Sequence, residues 1–272
     1  MKLAMWTSYL IELNPEDMVA QFAEKGWTHL ELSDEHAAVL LTRGDAEGTG
    51  RAFATLAEDH GVRIPQGHLS LKFDITAGSV ADTVESLKPW FDLFLGVGIR
   101  AGVLHWGGKA LTERGQGPDE IRAARVAVLK ALDAHLRGTD LIVCLENLSA
   151  VDNASPLLDL IEAVGGTNLG ICLDTGHLNL AGGKPSEFVK QAGPKLQALH
   201  IADNEGKTDQ HLMPYGRGTV DWEGLTESLH EVDYKGIYNF EIPGENHCPL
   251  PVRLAKLDYV KTIGTMMIQG AV

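Results

Sequence analysis

LIVCLEN (residues 141–147) is the first of three short apolar runs from which the fold can be predicted, and NLGICLDTGH (168–177) and LQALHIADN (196–204) follow it. Each run is rich in leucine, isoleucine or valine and ends in polar residues, which is typical of a strand buried on both faces of a parallel sheet. The segments between the runs, such as SPLLDLIEAVGG (155–166), have the length and apolar spacing of helices. Strands and helices therefore alternate through this region.

The same alternation extends over the whole chain. Five further strand-like runs are KLAMW (2–6), WTHLEL (27–32), RIPQGHLSL (63–71), IRAGVLHW (99–106) and GIYNFEI (236–242). Eight strands with helical crossovers predict an α/β fold, a (β/α)8 TIM barrel, as a single domain over residues 1–272. An open doubly wound sheet is the competing fold. The first strand is not followed by the glycine-rich turn of a dinucleotide-binding fold, which disfavours the commonest use of that alternative.

The amino-acid composition disfavours nucleic acid and membranes as partners. The chain of 272 residues has 23 Lys and Arg against 37 Asp and Glu, a net charge of −14, and its cations are scattered. Nucleic acid is therefore an unlikely partner. The 3 cysteines lack metal-knuckle spacing, and no stretch approaches the roughly 20 apolar residues of a membrane span. We expect a cytoplasmic protein without a membrane segment.

Potential metal ligands end six consecutive predicted strands. They are His68, His105, Glu146, Asp174, His200 and Glu241. Barrel enzymes keep their active sites at the carboxyl ends of the strands, so these side chains are expected to converge. Any one of them alone has an ordinary structural explanation, such as a capped loop or an ion pair. Six together would repel one another unless a cation neutralised them, which favours a metal site.

Loops after the sixth and seventh strands carry further polar residues. DTGH is expected to turn tightly and to place His177 near Asp174, as a ligand or a substrate contact. Asp209 and His211 are two residues apart, so on an extended segment both could reach one ion or ligand. Arg217 lies between two glycines and suits a phosphate or carboxylate, although a surface salt bridge would also explain it.

Three apolar or sulfur-containing residues lie close to this rim. Cys144 and Cys172 each precede a proposed ligand by two residues, so they should point inward one layer deeper and fill the core. Trp106 could form an apolar wall for a sugar, but ordinary packing is an equal alternative.

The motifs LEN, DTGH, LHIADN…DQHLMPYGRGTVDW and FEIPGE, in this order, resemble those of the xylose-isomerase-like TIM-barrel superfamily. The superfamily includes sugar and sugar-phosphate isomerases and epimerases, inosose dehydratases and zinc-dependent apurinic endonucleases. The similarity covers nearly the whole chain, and its specific motifs lie from Glu146 onward. It implies one divalent ion (Mn, Mg, Co or Zn) held by Glu146, Asp174, His200 and Glu241.

Resemblance to the epimerases further implies that Glu146 and Glu241 transfer a proton through an enediolate of a carbohydrate substrate. Substrate contacts would come from His68, His105, Trp106, His177, His211 and Arg217. An inosose-type dehydratase begins with the same proton abstraction and stays an alternative, as does a barrel that binds a sugar without turning it over. A homo-oligomer is possible.

Resemblance to the endonucleases implies a different reaction, phosphoester hydrolysis with two or three zinc ions. The additional ligands would be His68, His105, His177, Asp209 and His211, and all of these residue types are present. The stretch GHLSLKFD (67–74) departs from the endonuclease pattern beyond its histidine, and the chain lacks a dense basic surface. A divalent-metal-dependent sugar or sugar-phosphate isomerase or epimerase is therefore the preferred prediction.

Overall fold

A computed structural model describes residues 1–244 and 248–272. Its eight parallel strands are β1 (Lys2–Trp6), β2 (His29–Leu32), β3 (Arg63–His68), β4 (Ala101–Leu104), β5 (Ile142–Glu146), β6 (Leu169–Asp174), β7 (Leu196–His200) and β8 (Ile237–Phe240). They pair in the order β7-β6-β5-β4-β3-β2-β1-β8. A parallel bridge between Ile201 and Phe240 joins β7 to β8 and closes the ring. The predicted TIM barrel is confirmed.

Helices cover the outside of the barrel. Within the described residues they are α1 (Pro15–Glu24), α2 (Asp34–Leu41), α3 (Ala46–Asp59), α4 (Val80–Val97), α5 (Lys109–Glu113), α6 (Pro118–Leu136), α7 (Ser155–Val164), α8 (Thr175–Leu180), α9 (Pro185–Ala192), α10 (Trp222–Glu231) and α11 (Leu250–Ile268). None of the helices found there is both long and apolar enough to cross a lipid bilayer.

Local sequence explains where the helices begin. In α1, the Asn14 side chain accepts a hydrogen bond from the Asp17 N–H, and Pro15 occupies the first turn, where its missing N–H costs nothing. In α8, Asp174 itself is the N-cap and accepts from the His177 N–H. The DTGH segment is therefore the start of a short helix, whereas the sequence predicted only a tight turn, because the carboxylate satisfies a backbone donor of the first helical turn.

Two apolar layers support the site. The larger core lies between the strands and the surrounding helices. A smaller cluster fills the barrel interior and contains Ala101, Val103, Cys144, Cys172 and Ala198. Both cysteines are fully buried, and burial raises the pKa of each thiol. They lie below the strand ends as core filling, as predicted.

Candidate metal centre

The carboxyl ends of the strands bring the predicted ligands together. His68, Glu146, Asp174 and His200 are the last residues of β3, β5, β6 and β7. Asp174 and His200 are register partners in neighbouring strands, so their side chains point the same way. Glu241 directly follows β8, and its N–H donates to the Ile201 carbonyl across the closing seam.

Four of these side chains share one centre. His200 Nδ1 lies 3.2 Å from Glu241 Oε2, 3.5 Å from Glu146 Oε2 and 4.0 Å from Asp174 Oδ2. All four residues are buried, with at most 7% of their surface exposed. His200 Nδ1 and Asp174 Oδ2 have no hydrogen-bond partner among the described residues. Asp174, His200 and Glu241 offer ligand atoms within 4.8 Å of one another, and Glu146 shares a further such group with His200. Buried carboxylates beside an unpartnered imidazole nitrogen have the chemistry of a divalent-ion site.

Two more histidines approach Glu146 from the β3 and β4 side. The Nε2 atoms of His68 and His105 each lie 3.3 Å from Glu146 Oε2. His68 Nδ1 donates to the Leu69 carbonyl at 2.6 Å, which orients its Nε2 toward the site. Burial lowers the pKa of His68, but the hydrogen bond and charge of Glu146 outweigh it and raise that pKa to about 8. Both predicted histidines therefore line the centre.

A second group connects the loop after β7 to the centre. His177 Nδ1 lies 3.0 Å from Glu146 Oε1, and its Nε2 lies 3.2 Å from Asp209 Oδ2. The same Asp209 oxygen is 3.2 Å from His211 Nε2, and His211 Nδ1 donates to the Glu241 carbonyl at 2.8 Å. Asp209 thus bridges two histidines, one in contact with Glu146 and the other with Glu241.

The charges in the cluster perturb one another strongly. Burial raises the pKa of Asp174 to about 7, and the charges of Glu241 and Glu146 add to the rise. Burial also opposes ionisation of Glu146 and Glu241, but the neighbouring histidines together outweigh it. The charges and hydrogen bonds of His200, His105 and His177 hold the pKa of Glu146 well below its usual range, and those of His200 with the charge of His211 hold the pKa of Glu241 at about 2. For His177, the carboxylates of Asp174, Asp209 and Glu146 outweigh burial and raise its pKa to about 12. The carboxylates thus favour positive charge at this rim, which a bound cation would supply.

Trp106 and Arg217 are predicted substrate contacts whose side chains interact with neighbouring charged residues. Trp106 is 8% exposed, and the Arg125 guanidinium stacks 4.1 Å above its ring, so most of the indole is occupied by packing. The Arg217 side chain is 68% exposed, with its Nε 3.6 Å from Glu205 Oε2. That pair corresponds to the surface salt bridge that the sequence left open, and the substrate role of Arg217 stays a prediction.

Sequence reasoning missed Glu31. This fully buried carboxylate on β2 lies with Oε1 3.0 Å from His200 Nε2, and its Oε2 accepts a hydrogen bond from Asn239 Nδ2. The bond holds His200 in the tautomer that leaves Nδ1 free toward the centre. Glu31 escaped notice because it precedes the end of its strand, but a carboxylate between Leu30 and Leu32 in an apolar run was a usable signal.

Asn147 was also missed, although it belongs to the quoted LEN motif. Its amide donates to the Asp174 carbonyl at 2.9 Å and accepts from the Asp174 N–H at 2.7 Å. These paired bonds join the carboxyl ends of β5 and β6, which carry two of the candidate ligands.

Comparison with known proteins identifies the family. Residues 19–262 match the family described as xylose isomerase-like TIM barrel, and the chain belongs to that family. It is 27% identical over 201 residues to the D-psicose 3-epimerase of Ruminiclostridium cellulolyticum, a match that covers 70% of this chain and 63% of that protein. It is 28% identical over 142 residues to the inosose isomerase of Bacillus velezensis, covering 48% of this chain and 50% of that one.

Solved structures share the fold. The crystal structure of D-psicose 3-epimerase with D-tagatose from Clostridium cellulolyticum H10 superimposes with a TM-score of 0.81 at 16% identity, covering 98% of this chain and 99% of that one. The chain spans between 25% and 63% of the lengths of the curated relatives that it matches.

Proposed function

We propose that the protein is a divalent-metal-dependent isomerase or epimerase of a ketose or a related keto-polyol. The observation that carries this proposal is that carboxylate oxygens of Glu146, Asp174 and Glu241 all lie within 4.0 Å of the buried His200 Nδ1. The sugar-converting relatives support the substrate class.

The chain's own residues fit proton transfer. A divalent ion at this centre would polarise a substrate carbonyl and acidify the neighbouring C–H. Glu146 and Glu241 extend from different strands, β5 and β8, and both carboxylates lie within 3.5 Å of His200 Nδ1. One carboxylate would accept the proton from one face of the substrate, and the other would return it to the opposite face. Asp174 and His200 would hold the ion, and the buried walls of the site would keep water away from the reacting carbon. His177 and His211, linked through Asp209, would contact the substrate from the outer rim.

Solvent-exchange kinetics test the proton-transfer role. The protein is loaded with Mn²⁺ and incubated in deuterium oxide with D-psicose or an inosose, and deuterium at the substrate carbon is followed by NMR. Glu241→Gln should reduce exchange by about 100-fold or more, the usual contribution of a positioned proton-transfer group. Glu187→Gln is the matched control, because that glutamate lies on the exposed face of α9 and pairs with Lys184. Exchange unchanged in Glu241→Gln would refute the role of Glu241.

A second candidate is a zinc-dependent phosphoester hydrolase. Three overlapping groups of potential ligands favour it: His68, Glu146 and His200; Glu146, Asp174 and His177; and Asp174, His200 and Glu241. Such a cluster could hold more than one ion, and an imidazole-rich set suits zinc. Elemental analysis of protein purified without added metal separates the candidates. One ion per chain supports the isomerase or epimerase, whereas two or three zinc ions support the hydrolase.

A further inference from the structure

A cavity opens at the end of the barrel where the strands begin, opposite the candidate metal centre. Its volume is about 540 Å³, within the usual range of small-molecule sites. Gln66, Ala101 and Ile237 form buried parts of its wall. Because the candidate metal centre occupies the carboxyl ends of the same strands, this cavity is a separate site.

Basic residues form an arc around this cavity. The basic arc consists of Lys235, Lys2, His29, Arg63 and Arg100. These residues lie at the first residue of β8, β1, β2, β3 and β4 or within two residues before it, and these strands are adjacent in the sheet. Asp140 is the one acidic residue among those that line the cavity in the described chain. A contiguous cationic arc on a chain of net charge −14 is an unusual concentration of one sign.

The cations of the arc are poorly neutralised. Among the described residues, the side chains of Lys2, Arg63 and Arg100 have no ion pair or hydrogen bond, and Lys235 pairs with Asp233. Arg122, by contrast, contacts both carboxylate oxygens of Asp159, at 2.7 and 3.0 Å.

The pKa of His29 reflects the positive charges that surround it in the arc. Its pKa is lowered first by burial and then by the charges of Lys2 and Arg63. These like charges therefore lie close enough to repel one another, and an anion between them would remove the repulsion.

The buried side chain of Gln66 indicates that the ligand carries a hydroxyl group as well as an anionic group. Gln66 is 1% exposed, and its amide donates to the Leu199 carbonyl at 3.2 Å. Its Oε1 is buried and lacks a donor among the described residues. Because Gln66 lines the cavity, rotation of its side chain would bring this acceptor to a ligand hydroxyl, and buried acceptors are normally hydrogen-bonded.

We propose that the amino-terminal mouth of the barrel binds a small phosphate-bearing molecule, with Arg63 and Arg100 as its principal anion contacts. The planar guanidinium forks suit phosphate oxygens, and the cavity leaves room for a hydroxylated body next to Gln66. Inorganic phosphate and a phosphorylated polyol share the anionic group, and only the polyol can use the Gln66 acceptor. This site does not depend on the proposed reaction at the opposite end.

Equilibrium binding of two probes tests the proposal. Metal-free full-length protein is titrated at low ionic strength with inorganic phosphate and with glycerol 3-phosphate, and binding is measured by calorimetry. We expect saturable binding of both probes, tighter for glycerol 3-phosphate, and at least a tenfold loss of affinity in the double variant Arg63→Gln/Arg100→Gln. The matched control is Arg43→Gln/Arg122→Gln, which removes the same charge from exposed arginines paired with Glu16 and Asp159.

The outcomes separate a specific site from general electrostatics. Loss confined to the Arg63/Arg100 variant supports the site, and tighter binding of glycerol 3-phosphate identifies a phosphorylated polyol rather than free phosphate as the ligand class. Equal loss in the control variant would show a long-range charge effect and overturn the proposal. Unchanged binding in the Arg63/Arg100 variant, or no saturation by either probe at millimolar concentration, would also overturn it. Circular dichroism of both variants verifies folding, which is expected because the substituted side chains are exposed.

Discussion

Replacing Glu31 by glutamine should weaken metal binding at the candidate centre. The carboxylate accepts a hydrogen bond from His200 Nε2 at 3.0 Å, and neither side chain has any exposed surface. Glutamine keeps an oxygen for this bond but removes the charge that makes His200 a better ligand. Its new NH₂ group would face Asn239 Nδ2, yet the Asn239 amide can rotate because its Oδ1 has no partner among the described residues. The change is therefore mainly electrostatic.

The expected size follows from that geometry. Removing a hydrogen-bonded group behind a metal-binding histidine typically lowers metal affinity by about 10-fold to 100-fold. At about 1.4 kcal/mol for each factor of ten, the loss is about 1.4–2.8 kcal/mol. Glu31→Leu should lose more affinity and also stability, since it leaves the Asn239 amide donor without its acceptor.

Metal-free protein titrated with Co²⁺ provides the assay, since both the dissociation constant and the visible spectrum of the bound ion can be read. Asp133→Asn is the matched control: its carboxylate is 6% exposed and accepts a hydrogen bond from the Asn168 N–H, with no contact to the centre. If Glu31→Gln binds within twofold of the wild type with the same spectrum, the positioning role is refuted. A wild-type chain that binds no ion would instead refute the proposed function.

Three further predictions concern stability and reactivity. With Cys144 and Cys172 buried and their pKa values raised by burial, native protein should react with a thiol reagent only through the half-buried Cys248, and unfolded protein should show all 3 thiols. Asp203→Ala should lower the free energy of unfolding by about 3 kcal/mol in urea titrations, because the carboxylate accepts three hydrogen bonds that tie residues 204–222 to β7. Burial raises the pKa of Asp74, but backbone N–H donors and a threonine hydroxyl outweigh it and lower that pKa from 3.8 to about 2. The stabilisation by ionised Asp74 is therefore complete above its ordinary pKa of 3.8 and is lost as the pH falls toward about 2. The difference in unfolding free energy between wild type and Asp74→Asn should shrink between these two pH values.

The alternation of apolar runs with helical segments was sufficient to predict the barrel, because buried parallel strands and amphipathic helices have distinct local periods. The same regularity located His68, Glu146, Asp174, His200 and Glu241, since residues at the carboxyl ends of parallel strands must meet at one rim. These inferences need only local pattern and the general geometry of the fold.

Contacts between distant segments could not be predicted in this way. Glu31 meets His200 across 169 positions of sequence, and Asn239 meets Glu31 across 208. The basic arc is likewise assembled from five separate strand beginnings, each of which shows only a single cation in the sequence. The apolar pattern was thus enough to predict the barrel and the rim at which the candidate ligands lie. Which buried carboxylate supports His200, and which cations surround the opposite mouth, could be read only from the folded structure, because those contacts depend on strand order and register around the closed ring.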